Sequence, residues 1–237
     1  MSLVQTTDIT IKLLANGTAR DKLNRFVQYF TKFLVWYGQK NGFEKDTLAR
    51  MSNLVAALAC TRKTMRLGKQ LDHARNISKS GSITDDILRV LTISKSFGLG
   101  LWLVHDALGW ANTQKIIKLE APKDVSRRGN QFWLFALVSS LMINVYKLRW
   151  NAIRLSQEQR ILKANGTQAK DLSAADKIKA LQVEKSNLVY ATVSDSLDIC
   201  IPSISLEYLP LEPGVAGLCG AITSLMAVWT QLKPLLK

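Results

Sequence analysis

Two long runs without a charged side chain constrain the fold of this chain more than any other feature. The run Pro213–Leu232 has 20 residues, which as a helix is about 30 Å long. The run Gly129–Tyr146 has 18 residues, about 27 Å as a helix, which is near the lower limit for crossing a hydrocarbon core. The pattern therefore predicts two hydrophobic helices, of which the C-terminal one is long enough to span a membrane.

Small side chains recur every four residues in the C-terminal run. Ala216, Gly220 and Ser224 would form one row on a helix, and such a row lets a second helix approach closely in lipid. The alternative is a glycine-bearing helix packed in a soluble core. In both cases we predict that these three residues form a helix packing surface.

A third apolar stretch, Phe97–Ala111, carries two polar side chains near its centre. A charged Asp at a bilayer centre costs roughly 2.5–3.5 kcal/mol on insertion scales, so Asp106 favours an interfacial helix or one buried against other helices. His105 next to Asp106 is a candidate catalytic or metal-binding pair. Adjacent residues on a helix point about 100° apart, however, and no third ligand has suitable spacing. We therefore expect a polar pair that is satisfied within a helical bundle.

A basic segment between residues 62 and 73 has helical spacing. Its candidate headgroup-binding residues, which share one third of the helix circumference, are Arg62, Lys63, Arg66 and Lys69. Leu67 and Leu71 lie on the opposite side. Such a helix can lie in a membrane surface, because its cations meet anionic headgroups while its leucines enter the acyl boundary. The alternative is the basic outer face of an ordinary packed helix, and the pattern predicts one helix from Leu48 to about Ile77.

Residues 17–38 predict an amphipathic helix with an aromatic stripe that ends at Gly38. The apolar positions with helical spacing are Leu23, Phe26, Phe30, Phe33, Leu34 and Tyr37. We expect this stripe to pack against the next helix in a hairpin, with direct lipid contact as the alternative.

The net charge of +14 indicates an anionic partner. A hydrophobic content of 47% is high for so basic a chain and favours an anionic phospholipid membrane over nucleic acid. We expect no nucleic-acid partner, because the two uncharged runs would then be unexplained. Cys60, Cys200 and Cys219 are widely spaced among apolar neighbours, which predicts buried thiols in a reducing compartment.

The sequence lacks the common motifs of catalysis and cofactor binding. It has no phosphate loop GxxxxGK[ST], no GxGxxG fingerprint, no HExxH and no paired CxxC. His73 and His105 are the only histidines available for triads or metal sites, and no GxSxG nucleophile elbow occurs. The sequence therefore predicts no enzyme, no cofactor and no metal site.

Composition divides the chain into four regions. They are a basic N-terminal amphipathic helical region (1–96), hydrophobic helices (97–146), a basic connecting region (147–190) and a C-terminal region with a glycine-rich membrane helix (191–237). Ala164–Ser173 is the expected flexible interior of the connection, and Asp195 and Asp198 are expected in loops or at helix ends. The predicted fold class is all-α, an amphipathic helical membrane protein with one or two hydrophobic membrane-associated helices.

Three segments resemble the peroxin-eleven family of peroxisomal membrane proteins, in a fungal form. They are GTARDKLNRFVQYFTKFLVWYG (17–38), RKTMRLGKQL (62–71), and an ending with Asp195, Asp198, Pro202 and GVAGLCGAITSL. The resemblance covers nearly the whole chain, and its most specific motif is the first. It implies a protein of the peroxisomal membrane that elongates and divides peroxisomes and self-associates into homo-oligomers. It also implies recruitment of a dynamin-related fission GTPase and its adaptor.

The resemblance places the lipid-inserting helix at about Met65–Lys79. The four basic residues named above would be its headgroup contacts, and the two leucines its inserted face. An alternative function is a pore or metabolite channel of the peroxisomal membrane, in which His105, Asp106 and Asn144 line a polar path.

Overall fold

The computed structural model describes the backbone of residues 3–165 and 171–236, and the side chains of that part except at 164–174. Within these residues the chain is helical and contains no strand. The helices are α1 (Leu3–Ala15), α2 (Gly17–Lys40), α3 (Lys45–Met65), α4 (Gln70–Lys79), α5 (Asp86–Thr113), α6 (Pro122–Asn165), α7 (Asp171–Ser205) and α8 (Pro213–Leu232). Short 3₁₀ turns follow α4 at Ser80–Ser82 and α8 at Lys233–Leu236. The all-α prediction is confirmed.

The first long helix, α2, has a defined start and end. Asn16 caps it by accepting hydrogen bonds from the backbone N–H groups of Thr18 and Ala19, which leaves fewer unpaired donors at the first turn. The helix ends at Lys40, two residues beyond the predicted terminator. Gly38 lies inside the helix. A Cβ at this position would be 2.6 Å from the ring of Phe43, so the close packing of that ring requires glycine.

The six long helices pack side by side in the order α3, α2, α8, α7, α6 and α5. Helix α3 also contacts α5, so the first and last helices of this order are neighbours. Helix α4 packs on α5. Helices α2 and α8 are antiparallel, since Asn16 bonds Gln231 at one end and Lys40 bonds Glu212 at the other. Phe33 of the aromatic stripe lies against Gly217 of α8, whereas Phe30 and Tyr37 of the same stripe are exposed.

Apolar side chains on three of these helices point outward. The exposed positions are Val90, Phe97, Val104 and Leu108 on α5, Phe135, Val138, Met142 and Val145 on α6, and Leu218, Ile222, Leu225 and Trp229 on α8. Many buried side chains are instead polar, among them Ser96, Ser139, Ser140, Asn151, Thr223 and Ser224. This distribution suits a lipid surrounding, because polar groups in a bilayer face the interior of the bundle.

Three helices of the described chain are long and apolar enough to cross a membrane, judged by length and composition. They are Asp86–Thr113, Pro122–Lys163 and Pro213–Leu236. The predicted number was one or two. The additional candidate contains the stretch 97–111, where Asp106 is paired inside the bundle and no longer weighs against insertion.

The predicted continuous helix from Leu48 to Ile77 is wrong, because the chain turns between α3 and α4. Gly68 has φ +84°, a left-handed conformation that glycine adopts at little cost. The expectation that Asp195 and Asp198 lie in loops is also wrong, since both are inside α7.

The four predicted regions describe composition along the chain. Their boundaries at 96, 146 and 190 each fall inside one helix, namely α5, α6 and α7. The predicted flexible interior, Ala164–Ser173, lies largely outside the described residues.

Candidate membrane-contacting site and the buried ion pairs beside it

Helix α4 presents most of its surface to the surroundings, and none of its residues is buried. Leu71 is 76% exposed and Leu67, in the preceding turn, is 41% exposed. Arg75 and Lys79 are also exposed, four and eight residues after Leu71, and therefore share its side of the helix. The structure thus brings apolar and cationic side chains together on one open face.

The opposite side of α4 packs on α5. The Gln70 side-chain amide donates to the Leu103 carbonyl at 3.3 Å, and His73 lies over Gly100. Because higher numbers on α4 meet lower numbers on α5, the two helices are antiparallel. Burial lowers the pKa of His73, so this contact favours the neutral ring.

Arg62 is 7% exposed and turned into the protein. Its Nε lies 3.1 Å from Asp21 Oδ1 on α2, and its Nη1 donates to Gln28 Oε1 at 2.7 Å. Burial lowers the pKa of the Arg62 guanidinium, although Asp21 acts in the opposite direction. This arginine joins α3 to α2.

Arg66 and Lys63 both pair with Asp106 on α5. Arg66 Nη2 lies 2.8 Å from one carboxylate oxygen and Lys63 Nζ lies 3.4 Å from the other. The Arg66 guanidinium also stacks over the Trp102 ring, 4.9 Å from its centroid. Asp106 is therefore satisfied inside the bundle, as expected from the sequence, and His105 contacts the Leu101 carbonyl at 2.8 Å through Nδ1.

Of the four candidate headgroup contacts, Arg62, Lys63 and Arg66 form ion pairs within the protein. Headgroup binding by these three residues stays a prediction that would require the ion pairs to open. Lys69 is half-buried at the start of α4. The exposed cations beside the leucines are instead Arg75 and Lys79, which the sequence analysis missed, although their spacing from Leu71 was the available signal.

A second buried ion pair joins α2 to α7 and α8. Arg25 Nη2 lies 2.7 Å from Asp198 Oδ1, which also accepts a hydrogen bond from the Thr223 hydroxyl at 2.6 Å. Burial acts to lower the pKa of Arg25, but Asp198 and Tyr29 outweigh it and raise that pKa. No local sequence pattern predicts this pair, because its members are far apart in the chain.

The row of small residues on α8 faces α2 of the same chain. Ala216 is 5% exposed and Ser224 is fully buried, and a Cβ on Gly220 would lie 2.2 Å from the Tyr29 ring. Gly214 and Gly217, which were not predicted, also lie close to α2, since a Cβ on them would be 2.2 Å from Trp36 and 2.8 Å from Phe33. These small residues allow Tyr29, Phe33 and Trp36 of α2 to pack directly on the α8 backbone, and of these three only Phe33 belongs to the predicted aromatic stripe.

The residues of the alternative polar path have separate partners. Asn144 donates to Asp195 at 2.8 Å between α6 and α7, whereas Asp106 pairs with residues before α4. His105 packs against Phe132, with 5.3 Å between ring centroids.

Comparison with known proteins identifies the family to which this chain belongs. The profile described as "Peroxisomal biogenesis factor 11 (PEX11)" matches residues 7–232, which is nearly the whole chain. The chain belongs to the PEX11 family. This is the family that the sequence resemblance had indicated.

Relatives in this family have similar length and low identity. The chain is 24% identical to "Peroxisomal biogenesis factor 11" of Schizosaccharomyces pombe, with 92% of both chains covered. It is 25% identical to "Peroxisomal membrane protein PMP30B" of Candida boidinii, with 94% of both covered. It is 23% identical to human "Peroxisomal membrane protein 11B", with 97% of this chain and 98% of that one covered. No solved structure matches. The protein is therefore a peroxisomal membrane protein involved in peroxisome biogenesis.

Proposed function

We propose that this protein elongates peroxisomes by inserting the exposed face of α4 into one leaflet of the membrane, and so promotes proliferation and fission. The observation that supports it most directly is Leu71, 76% exposed next to exposed Arg75 and Lys79. Removing a leucine side chain fully from water is worth about 1.5–3 kcal/mol. Shallow insertion enlarges one leaflet relative to the other, and the bilayer relieves this mismatch by curving.

Insertion requires α4 to separate from α5. The two helices are antiparallel, so α4 has the inclination of a candidate membrane span and does not lie in the membrane surface while it is packed there. Turns containing Gly68 and Gly81 flank α4 and give the chain two places to bend. Arg66 and Lys63 meanwhile keep the preceding turn on α5 through Asp106.

In this mechanism the headgroup contacts are Lys69, Arg75 and Lys79, each worth roughly 1 kcal/mol near an anionic surface. Leu67 and Leu71 enter the acyl boundary. Homo-oligomers would concentrate the effect into a tubule. Scission would then be carried out by a dynamin-related GTPase with its adaptor, the partners that the family resemblance implies.

A reversible covalent lock on α4 tests the mechanism. A Cβ built on Gly100 lies 3.6 Å from the His73 Cβ, which is within the range of about 3.5–4.5 Å found in disulfides. The full-length variant with His73→Cys and Gly100→Cys would be reconstituted into liposomes that contain anionic phospholipid, and tubules would be counted by electron microscopy. We expect no tubules in the oxidised protein and tubules after reduction.

The two single-cysteine variants under the same oxidation are the controls, because they retain the native cysteines but lack the lock. Mass spectrometry confirms that the disulfide has formed. Equal tubulation by the oxidised and reduced double variant would show that α4 does not need to leave α5, and would refute the mechanism.

A further inference from the structure

A cavity of about 650 Å³ lies between the start of α2, the middle of α7 and the end of α8. This volume is in the range of pockets that enclose single small molecules. Its lining combines hydroxyl and amide groups with two lysines, one carboxylate and two aromatic rings, namely Lys22, Lys233, Asp195, Tyr190 and Trp229. It does not overlap α4.

Lys22 is a half-buried cation in the lining of this cavity. The nearby carboxylates are already engaged, Asp21 by Arg62 and Asp198 by Arg25, and Lys22 forms no ion pair within the described part of the chain. Burial and the neighbouring Arg25 lower the pKa of Lys22 to about 8. The protein therefore bears an uncompensated charge where an anionic ligand would find a partner.

The single acidic side chain of the lining, Asp195, forms no ion pair with Lys22. It accepts a hydrogen bond from Asn144 on α6 at 2.8 Å. Lys233, an exposed residue of the same lining, adds a second cation. The cavity is thus complementary to a group that carries negative charge and accepts several hydrogen bonds.

The position of the cavity along α8 indicates where such a ligand would come from. Trp229 and Lys233 follow the apolar part of a candidate membrane span, the positions at which aromatic and basic side chains meet the lipid headgroups. The exposed apolar stripe of Leu218, Ile222 and Leu225 continues from Trp229 along the same helix. It offers a surface for acyl chains next to a polar cavity.

We propose that this cavity binds the phosphate headgroup of one anionic phospholipid, with its acyl chains along the outer stripe of α8. Lys22 and Lys233 bind the phosphate. The side chains of Ser186, Asn187 and Ser194 on α7 donate hydrogen bonds to it. The site rests on the membrane location of the protein and is independent of insertion by α4.

Native mass spectrometry of the full-length protein in detergent tests the site. Dioctanoyl phosphatidic acid is the probe, and dioctanoyl phosphatidylcholine at equal concentration is its zwitterionic counterpart. We expect one retained phosphatidic acid per chain. The Lys22→Gln variant should bind it about tenfold more weakly or worse, because a charge-assisted hydrogen bond is lost. Lys32→Gln, an exposed lysine of the same helix, should bind as the unmodified protein does.

A second variant tests the cavity without removing a charged side chain. Ala227→Trp fills the cavity from α8 and should displace the lipid while leaving Lys22 in place. Equal retention of the two lipids, or undiminished binding by both cavity variants, would overturn the proposal. Leu71→Glu should still retain the lipid, so failure of the α4 mechanism and failure of this site are distinguishable.

Discussion

The ion pair between Arg62 and Asp21 allows a quantitative prediction about the stability of the bundle. Its side chains are 8% and 7% exposed, and its atoms are 3.1 Å apart. At an effective dielectric constant of about 20 this separation corresponds to an attraction of about 5 kcal/mol. Asp21→Asn removes that attraction while its amide oxygen can still accept from Nε, and it leaves the buried guanidinium charge without this counter-ion. We expect the free energy of unfolding to fall by about 3–5 kcal/mol.

Replacing both members of this pair should lower the free energy of unfolding much less than replacing Asp21 alone. Burial and the nearby Arg66 lower the pKa of Arg62 in spite of Asp21, and replacing a buried ion pair by apolar side chains of similar volume is often neutral for stability. The variant with Asp21→Leu and Arg62→Met should therefore be close to the unmodified protein in stability. In the other buried pair Asp198 also accepts a hydrogen bond from the Thr223 hydroxyl. Asp198→Leu removes that acceptor, so the variant with Arg25→Met and Asp198→Leu should remain destabilised.

Thermal unfolding of the detergent-solubilised protein, followed by circular dichroism, measures these differences, and a double-mutant cycle isolates the pair energy. Asp46→Asn is the matched control. Its pair with Arg50 has a similar distance of 2.8 Å but is 80% and 61% exposed, so we expect a change of about 0.5 kcal/mol or less. The reasoning would be refuted if Asp21→Asn were as mild as this control, or if the double variant were as unstable as the single one.

Two further predictions concern α2 and its neighbours. Gly220→Ala should destabilise the protein by about 1–3 kcal/mol in the same unfolding assay, because the new Cβ would lie 2.2 Å from the Tyr29 ring, whereas Gly81→Ala meets no atom within 4 Å and should be mild. Lys22→Met should raise the melting temperature at pH 7, and the difference should shrink toward pH 10. The folded pKa of about 8 lies below the ordinary 10.5, so the unmodified protein gains stability between these values as it releases the buried proton. A pH-independent difference would contradict the assignment of that pKa to Lys22.

The sequence alone determined the helical class, the positions of two apolar runs and the family resemblance. These properties depend on side chains that are close in the chain, through helical periodicity and run length. For the same reason the small residues of α8 were identifiable as a packing row. Which helix packs on them was not, since α2 and α8 lie at opposite ends of the sequence.

The tertiary structure decided which of the basic side chains form ion pairs within the protein. Helical spacing cannot distinguish Arg62, Lys63 and Arg66 from exposed basic residues. In the structure Asp21 on α2 pairs with the first of them, and Asp106 on α5 pairs with the other two. Arg75 and Lys79 share the side of α4 with Leu71 through their spacing alone, but only the packing of α4 on α5 through Gln70 and His73 shows that this side stays open. Periodicity identifies the side of a helix on which a charge lies, whereas the partner of that charge depends on contacts between residues distant in sequence.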